Sequence, residues 1–478
     1  MLFNSFQFLW LFPLIFAAIQ FTPPIIVKLC KIPLRKVSNS LLLFISYALY
    51  ISYQPIYALV LLYVTAVTYF GALYVSRHQE DGRKKRMITV SAFGALFPLL
   101  LFKYYNFIND SLIGLFNTIG IHANMPGLNW AIPLGISFFT FQAVGYLWDV
   151  YYKRIEVEHN WWDFMLFVSF FPQIASGPIS KAKDLLPQIK AERKFDYDRA
   201  VQGCKWLLWG MFLKVVMADR IGTMVDTILP NYMYLSGPTC AVGAVLYSIQ
   251  IYGDFAGYSL MAIGAGRLMG FDLINNFHRP YFAATITEFW RRWHISLTKW
   301  LTDYVYIPLG GSRCSKVKTY RNIFVTFLVS GIWHGANWTF VIWGMMHGAL
   351  QVIEKALGCQ KCENRRVRPF RIVLTFILVT LAWVFFRMPT IEEGWGVVSK
   401  IFTDFNSLAI KATKTDLLFI FGSLLTVFIV EWMEEYLPKV TLLNNKKKMV
   451  RWVTYIVLLI VVLLCGVFDA GSFIYVSF

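Results

Sequence analysis

The sequence predicts an all-α polytopic membrane protein. Three observations carry this. The 478 residues are 57% hydrophobic and only 15% charged, where a soluble domain carries about 25% charged residues. Mean hydropathy is +0.53. Apolar runs of helical length recur from end to end, separated by short basic links.

Each element follows from the length rule that a spanning helix needs about 20 mostly apolar residues. The candidate runs are 6–20, 41–53, 56–75, 87–102, 132–152, 206–218, 241–258, 323–350 (one helix or two), 372–386, 417–430 and 453–468. Several fall short of a full span. Their ends recruit flanking Trp and Tyr as interface anchors, or they are buried in the protein away from lipid.

The net charge of +18 is explained by where the cations stand. Lys28, Lys31, Arg35 and Lys36 form one cluster, and Arg77, Arg83, Lys84, Lys85 and Arg86 the next. Others follow at 313–321, 361–371 and 446–451. This is the pattern of cytoplasmic loops, and no aromatic-basic module for nucleic acid remains once the spans are removed. The first 27 residues carry no charge. They read as an uncleaved first helix with an external N-terminus, since a signal peptide opens on a basic segment. The chain then alternates: basic loop 28–36 inside, an outer turn at Gln54-Pro55, basic loop 77–86 inside, and a longer outer segment over 103–130.

Two segments break the pattern. Residues 164–174 are too short to span and contain Pro172, leading through Gln173 to Gly177-Pro178. A re-entrant element buried in protein is the reading, because irregular backbone at membrane depth needs protein or water partners. The segment Thr285–Tyr306 reads as one amphipathic helix, with Phe289, Trp293, Leu297, Trp300 and Tyr304 on a shared face. Glu288/Arg292 and Lys299/Asp303 stand four apart and can pair. Such a helix lies at the interface or dips into a protein-lined funnel.

Serine-hydrolase, zincin, P-loop and dinucleotide motifs are absent from the sequence. The seven cysteines include one CxxC, Cys359 and Cys362, too little for zinc. What remains is histidine. Of the seven, His334 stands out: Gly331 and Gly335 bracket Trp333-His334, and Asn337 follows, all within an apolar run. Ionisable groups in membrane segments are functional candidates. Desolvation favours the neutral imidazole, the form a general base requires. His294 is the second candidate, to polarise an acyl carbonyl or shuttle a proton. Gln173, Asp303, Trp333 and Asn337 complete the set as substrate-binding or tunnel residues, and no metal site is expected. His347 reads as a buried structural imidazole with one hydrogen bond.

Four blocks carry a family resemblance: FPQIASGPI (171–179), DFAGYSLMAIG (254–264), TEFWRRWHISLTKWLTDYVYIPLGGSR (287–313) and SGIWHGANWTFVIWGMMHG (330–348). The chain resembles the membrane-bound O-acyltransferase (MBOAT) family, nearest its bacterial branch for alginate and polysaccharide O-acetylation. The likeness runs from MLFNSFQFLW to the C-terminal GSFIYVSF. It implies a single membrane domain over 1–478, with N-terminal helices in 1–130, a motif-bearing core in 131–350 and C-terminal helices in 351–478. It implies a ring of about eleven or more transmembrane helices, with re-entrant and interfacial helices, around a central funnel. It maps the signature catalytic histidine onto His334 and the histidine of the RWHIS block onto His294. It also implies a thioester donor such as acetyl-CoA, a polysaccharide acceptor, a periplasmic or membrane-anchored acyltransferase partner, and a place in the bacterial inner membrane. The chain departs from the family pattern at Leu260, where Asp is common, and at Thr302, where Arg is common, which leaves acceptor and partner open. The rival readings are D-alanyl or other acyl transfer to teichoic acid, lipid or protein, a glycan or lipid transporter with no covalent step, and a scaffold that recruits another acyltransferase.

Overall fold

The computed structural model describes the chain except residues 1–2, 54, 79–80, 123–125, 176, 438–442 and 469–478, and the side chain of residue 81. Gln54 of the outer turn, Ser176 of FPQIASGPI and the C-terminal GSFIYVSF therefore lie outside the described residues. Among the described residues all regular structure is helical.

The chain divides into two compact units, one of residues 1–203 and 265–274, the other of residues 204–264 and 275–478. The first holds α1 (Phe6–Cys30), α2 (Leu34–Tyr53), α3 (Ala58–Arg77), α4 (Asp81–Leu99), α5 (Tyr105–Thr118), α6 (Ile136–Tyr151), α7 (Trp161–Ser169), α8 (Phe171–Ile174) and α9 (Ala182–Lys190). Then follow α10 (Tyr197–Met211), α11 (Asp219–Ile228), α12 (Gly237–Leu268), α13 (Ile286–Arg292), α14 (Ile295–Leu301), α15 (Lys316–His334) and α16 (Trp338–Ala356). Last come α17 (Arg368–Arg387), α18 (Ile391–Thr403), α19 (Lys414–Tyr436) and α20 (Lys448–Cys465).

Among the described residues six helical segments are long and apolar enough to cross a membrane: Phe6–Cys30, Pro55–Arg77, Gly82–Thr118, Arg368–Arg387, Lys414–Tyr436 and Lys448–Cys465. Five coincide with expected runs, whereas Gly82–Thr118 continues beyond the run 87–102 into the segment 103–130 expected as an outer link. Other expected runs fold into elements enclosed by protein. Helix α6, from the run 132–152, is buried along almost its whole length. An all-round apolar sequence is what an enclosed helix requires, so composition alone cannot separate it from a lipid-facing one.

In the first unit, α3 and α4 approach closely: a Cβ at Gly71 would come within 2.3 Å of Ser91 Oγ. The segment read as re-entrant is two short helices, α7 and α8, broken at Phe170 with Pro172 in the first turn of α8. Every residue from 163 to 174 is buried, so the segment is enclosed by protein.

In the second unit, Lys214 Nζ reaches Asp219 Oδ1 at 2.7 Å and Asp254 Oδ1 at 2.6 Å, with all three side chains buried. This ties a π-helical segment, Phe212–Ala218, to α12. Buried charges persist only when paired in this way.

One open choice is resolved and one expectation is corrected. The run 323–350 is two helices, α15 and α16, parted at residues 335–337, where Gly335 is extended and Asn337 caps α16. The single amphipathic helix over 285–306 is instead α13, α14 and a π-helical turn, Thr302–Tyr306. The break falls at Trp293-His294, where His294 adopts φ 42°, ψ 54°. Phe289, Trp293, Leu297 and Trp300 are all buried, so the segment is core and not a surface stripe. A helical pattern fits helix, break and helix equally well, because each short piece keeps the same period.

Candidate active site

His334 is the last residue of α15. The position is fixed by glycine. A Cβ at Gly331 would lie 2.4 Å from Phe340 O, and one at Gly335 would enter the Phe340 ring at 2.1 Å. The bracketing glycines thus serve close backbone and ring packing between α15 and α16.

Around His334 stands a shell of rings. Trp333 and Trp343 each lie 4.9 Å away, centroid to centroid, and Phe386 of α17 lies at 5.3 Å. The His294 ring is a neighbour at 6.5 Å. His294 sits edge-on to Phe255 at 4.6 Å and 5.9 Å from Trp333. Relative exposure is 0% for His294 and 2% for His334, so both imidazoles are removed from bulk water. Two segments that are remote in sequence bring the RWHIS and WHG blocks side by side.

Beyond Trp343 lies His347, fully buried, which accepts a hydrogen bond at Nδ1 from Trp290 Nε1 at 3.2 Å. That bond places the proton of a neutral His347 on Nε2. Its ring packs 4.9 Å from Trp343, the same indole that contacts His334.

A cavity of about 270 Å³ opens beside this cluster. Its wall includes Thr287, Trp290, Arg291, Thr302, Ser330, Gln351 and Lys355. Ser330 is one turn before His334 on α15, and its buried Oγ has no hydrogen-bond partner among the described residues. The cavity therefore joins two cations and several neutral hydrogen-bonding groups to an aromatic inner wall. Such a lining suits an elongated polar ligand with an anionic end.

The six residues proposed from sequence meet different fates. His294, Trp333 and His334 are brought together. Asn337 is engaged in architecture: its Oδ1 accepts from Thr339 N at 3.0 Å and its Nδ2 donates to Pro389 O at 2.8 Å. Asp303 is half-buried in the π-helical turn, whose Thr302 and Tyr306 face the cavity while Asp303 does not line it. Gln173 belongs to the other unit, where it donates to Gln142 Oε1 and accepts from Ser180 Oγ. The cavity wall also brings in Ser330, Arg291 and Lys355, which were not among the residues proposed from sequence. The four-residue spacing of Ser330 from His334 was the available signal for the first. Thr302, a departure from the family pattern, turns out to line the cavity.

Glu288 and Arg292 of α13 belong to an ion cluster. Glu288 accepts from Arg292 Nη2 at 2.7 Å, as the four-residue spacing predicted, and from Arg368 Nη2 at 2.8 Å and Ala284 N at 2.9 Å. Glu435 joins Arg292 at 2.8 Å and Arg279 at 2.9 Å. Burial pushes the Glu288 carboxyl up, but the Arg368 hydrogen bond, the Ala284 N–H and Arg292 outweigh it and hold it below the ordinary glutamate value.

Comparison with known proteins agrees with these blocks. The family model described as MBOAT, membrane-bound O-acyltransferase family, matches residues 4–388. The chain is 38% identical over 407 residues to a Pseudomonas aeruginosa protein named probable alginate O-acetylase AlgI, covering 84% of this chain and 75% of that one. It is 35% identical over 364 residues to a Helicobacter pylori peptidoglycan O-acetyltransferase, covering 69% of this chain and 67% of the relative. A Streptococcus thermophilus teichoic acid D-alanyltransferase is 28% identical over 339 residues, covering 65% and 77%. With a family model spanning most of its length and O-acetylating relatives above 30% identity, this multi-pass membrane chain belongs to the membrane-bound O-acyltransferase family and is an O-acyltransferase.

Proposed function

We propose that the chain moves an acetyl group from a cytoplasmic thioester, acetyl-CoA or a similar donor, across the bacterial inner membrane for O-acetylation of an exported or cell-surface polysaccharide. The observation that carries this is the dry pairing of His294 and His334 beside a cavity walled by Arg291, Lys355 and neutral polar groups. The names of the alginate and peptidoglycan O-acetylating relatives support the acceptor class.

In this reading the donor enters the cavity with its phosphates near Arg291 and Lys355 and its thioester toward Ser330 and His334. An acceptor hydroxyl attacks the thioester carbonyl. His334 takes the hydroxyl proton, the C–S bond breaks, and the proton passes to the departing thiolate. Ester and thiol result, and no proton is gained or lost. Positioned proton transfer of this kind contributes about 10²–10⁴-fold. His294 polarises the carbonyl or relays the proton. Trp333, Trp343 and Phe386 exclude water, which would otherwise hydrolyse the donor.

The family's ring of about eleven or more membrane helices around a funnel, with the N-terminus outside, belongs to this proposal. So does a periplasmic or membrane-anchored acyltransferase partner that receives the acyl group. Passing only a small acyl group spares the cost of carrying a charged donor through about 30 Å of hydrocarbon. Purified protein in lipid, given labelled acetyl-CoA, tests the reading. Wild type should consume donor and His334→Ala should not, at equal folding. Polysaccharide flux without donor consumption would instead establish a transporter.

A further inference from the structure

The break at His294 poses a problem of backbone accounting. His294 occupies the N-cap position of α14, and the first N–H groups of a helix need acceptors from outside the helix. The usual acceptor is the side chain of the N-cap residue itself. An imidazole used that way would be tied to its own backbone. His294 makes no such cap bond, and its ring stands beside Phe255, Trp333 and His334.

The acceptors come from a different segment. Asn276 O accepts from Ile295 N at 2.9 Å, and Asn276 Oδ1 accepts from Ser296 N at 3.1 Å. On the other side of the break His278 N donates to Arg292 O at 2.9 Å. Residues 276–278 thus splint both flanks of His294. Between them the Phe277 ring packs on Trp293 and on Phe255, each at 5.0 Å. Asn276 is 0% exposed, and its amide orientation is fixed because Ser296 N–H requires the oxygen. The left-handed backbone of His294, uncommon for any residue with a Cβ, persists because these bonds over-determine it.

We propose that Asn276 is a positioning residue for acyl transfer: it caps α14 in place of His294 and so holds the His294 imidazole toward His334. This rests on the histidine-pair reading given above. The side chain of Asn276 touches neither donor nor acceptor and acts only through His294.

The experiment is a double-mutant cycle on the purified full chain in lipid, with labelled acetyl-CoA as probe. Displacing a catalytic group by about 1 Å can cost roughly 10²-fold. Asn276→Ala should lower kcat by about that factor and leave the donor KM nearly unchanged, and Asn276→Asp, which keeps an oxygen facing Ser296 N–H, should restore much of the rate. In a His294→Ala background, Asn276→Ala should have almost no further effect, since the group it positions is gone. The same fold loss in both backgrounds, or a rise in KM at constant kcat, overturns the proposal. If Asn276→Ala does not yield folded protein, Asn276→Ser takes its place in the cycle under the same two outcomes. Full turnover by His334→Ala would sink the underlying reading, whereas additivity at Asn276 sinks this inference alone.

Discussion

Gly331 of α15 faces Gly344 of α16 with no room for a side chain on either. A Cβ on Gly331 would lie 2.4 Å from Phe340 O and 3.1 Å from Gly344 Cα, and one on Gly344 would lie 2.5 Å from Phe327 O. The pair sets the depth at which His334 and Trp343 meet. The obstructing atoms are backbone and cannot swing away. Gly331→Ala and Gly344→Ala should each cost about 1–3 kcal/mol of stability and lower acyl transfer. Thermal unfolding in detergent and donor turnover check this. Wild-type values for both would mean that the hairpin tolerates separation.

His334→Ala should reduce turnover by about 10²–10⁴-fold while leaving the melting temperature close to wild type. His294→Ala should cost less than His334→Ala but no less than the roughly 10²-fold expected of Asn276→Ala, because its role is to polarise or relay. Rates from single-turnover assays with labelled acetyl-CoA separate the two. A His294 variant more damaged than the His334 variant would reverse their roles.

Arg291 is exposed and Lys355 half-buried at the cavity wall. Contacts of such solvated cations are worth up to about 1 kcal/mol each. Arg291→Ala and Lys355→Ala should therefore raise the donor KM by a few-fold and leave kcat in place. Unchanged KM in the double variant would remove the phosphate from this end of the cavity.

The ion cluster around Glu288 predicts a pH dependence. Its folded carboxyl lies below the ordinary glutamate value, so the stabilisation is present above that value and is lost as pH falls through the folded one. Unfolding temperature should fall on acidification, and Glu288→Gln should flatten part of that fall. Parallel pH profiles for the two proteins would show that Glu288 contributes no linkage.

The sequence alone determined that the chain is helical and membrane-spanning, and it singled out His334 as the candidate catalytic residue. Apolar runs and basic links report transfer from water residue by residue, and no long-range contact is needed to read them. The blocks RRWHIS and WHGANW were likewise local, and the glycines at 331 and 335 already announced a close approach. Tertiary structure decided the rest. Which runs are enclosed, as α6 is, depends on neighbours that composition does not name. The turn at His294 depends on Asn276, whose hydrogen bonds cross a gap in sequence that no periodicity reports. Asn337, proposed from sequence as a site residue, also caps α16, a role the sequence did not separate because an amide near a histidine and an amide at a helix start look the same in one dimension. The cavity beside Ser330 drew residues from several helices, and only packing brings Arg291 and Lys355 to one wall.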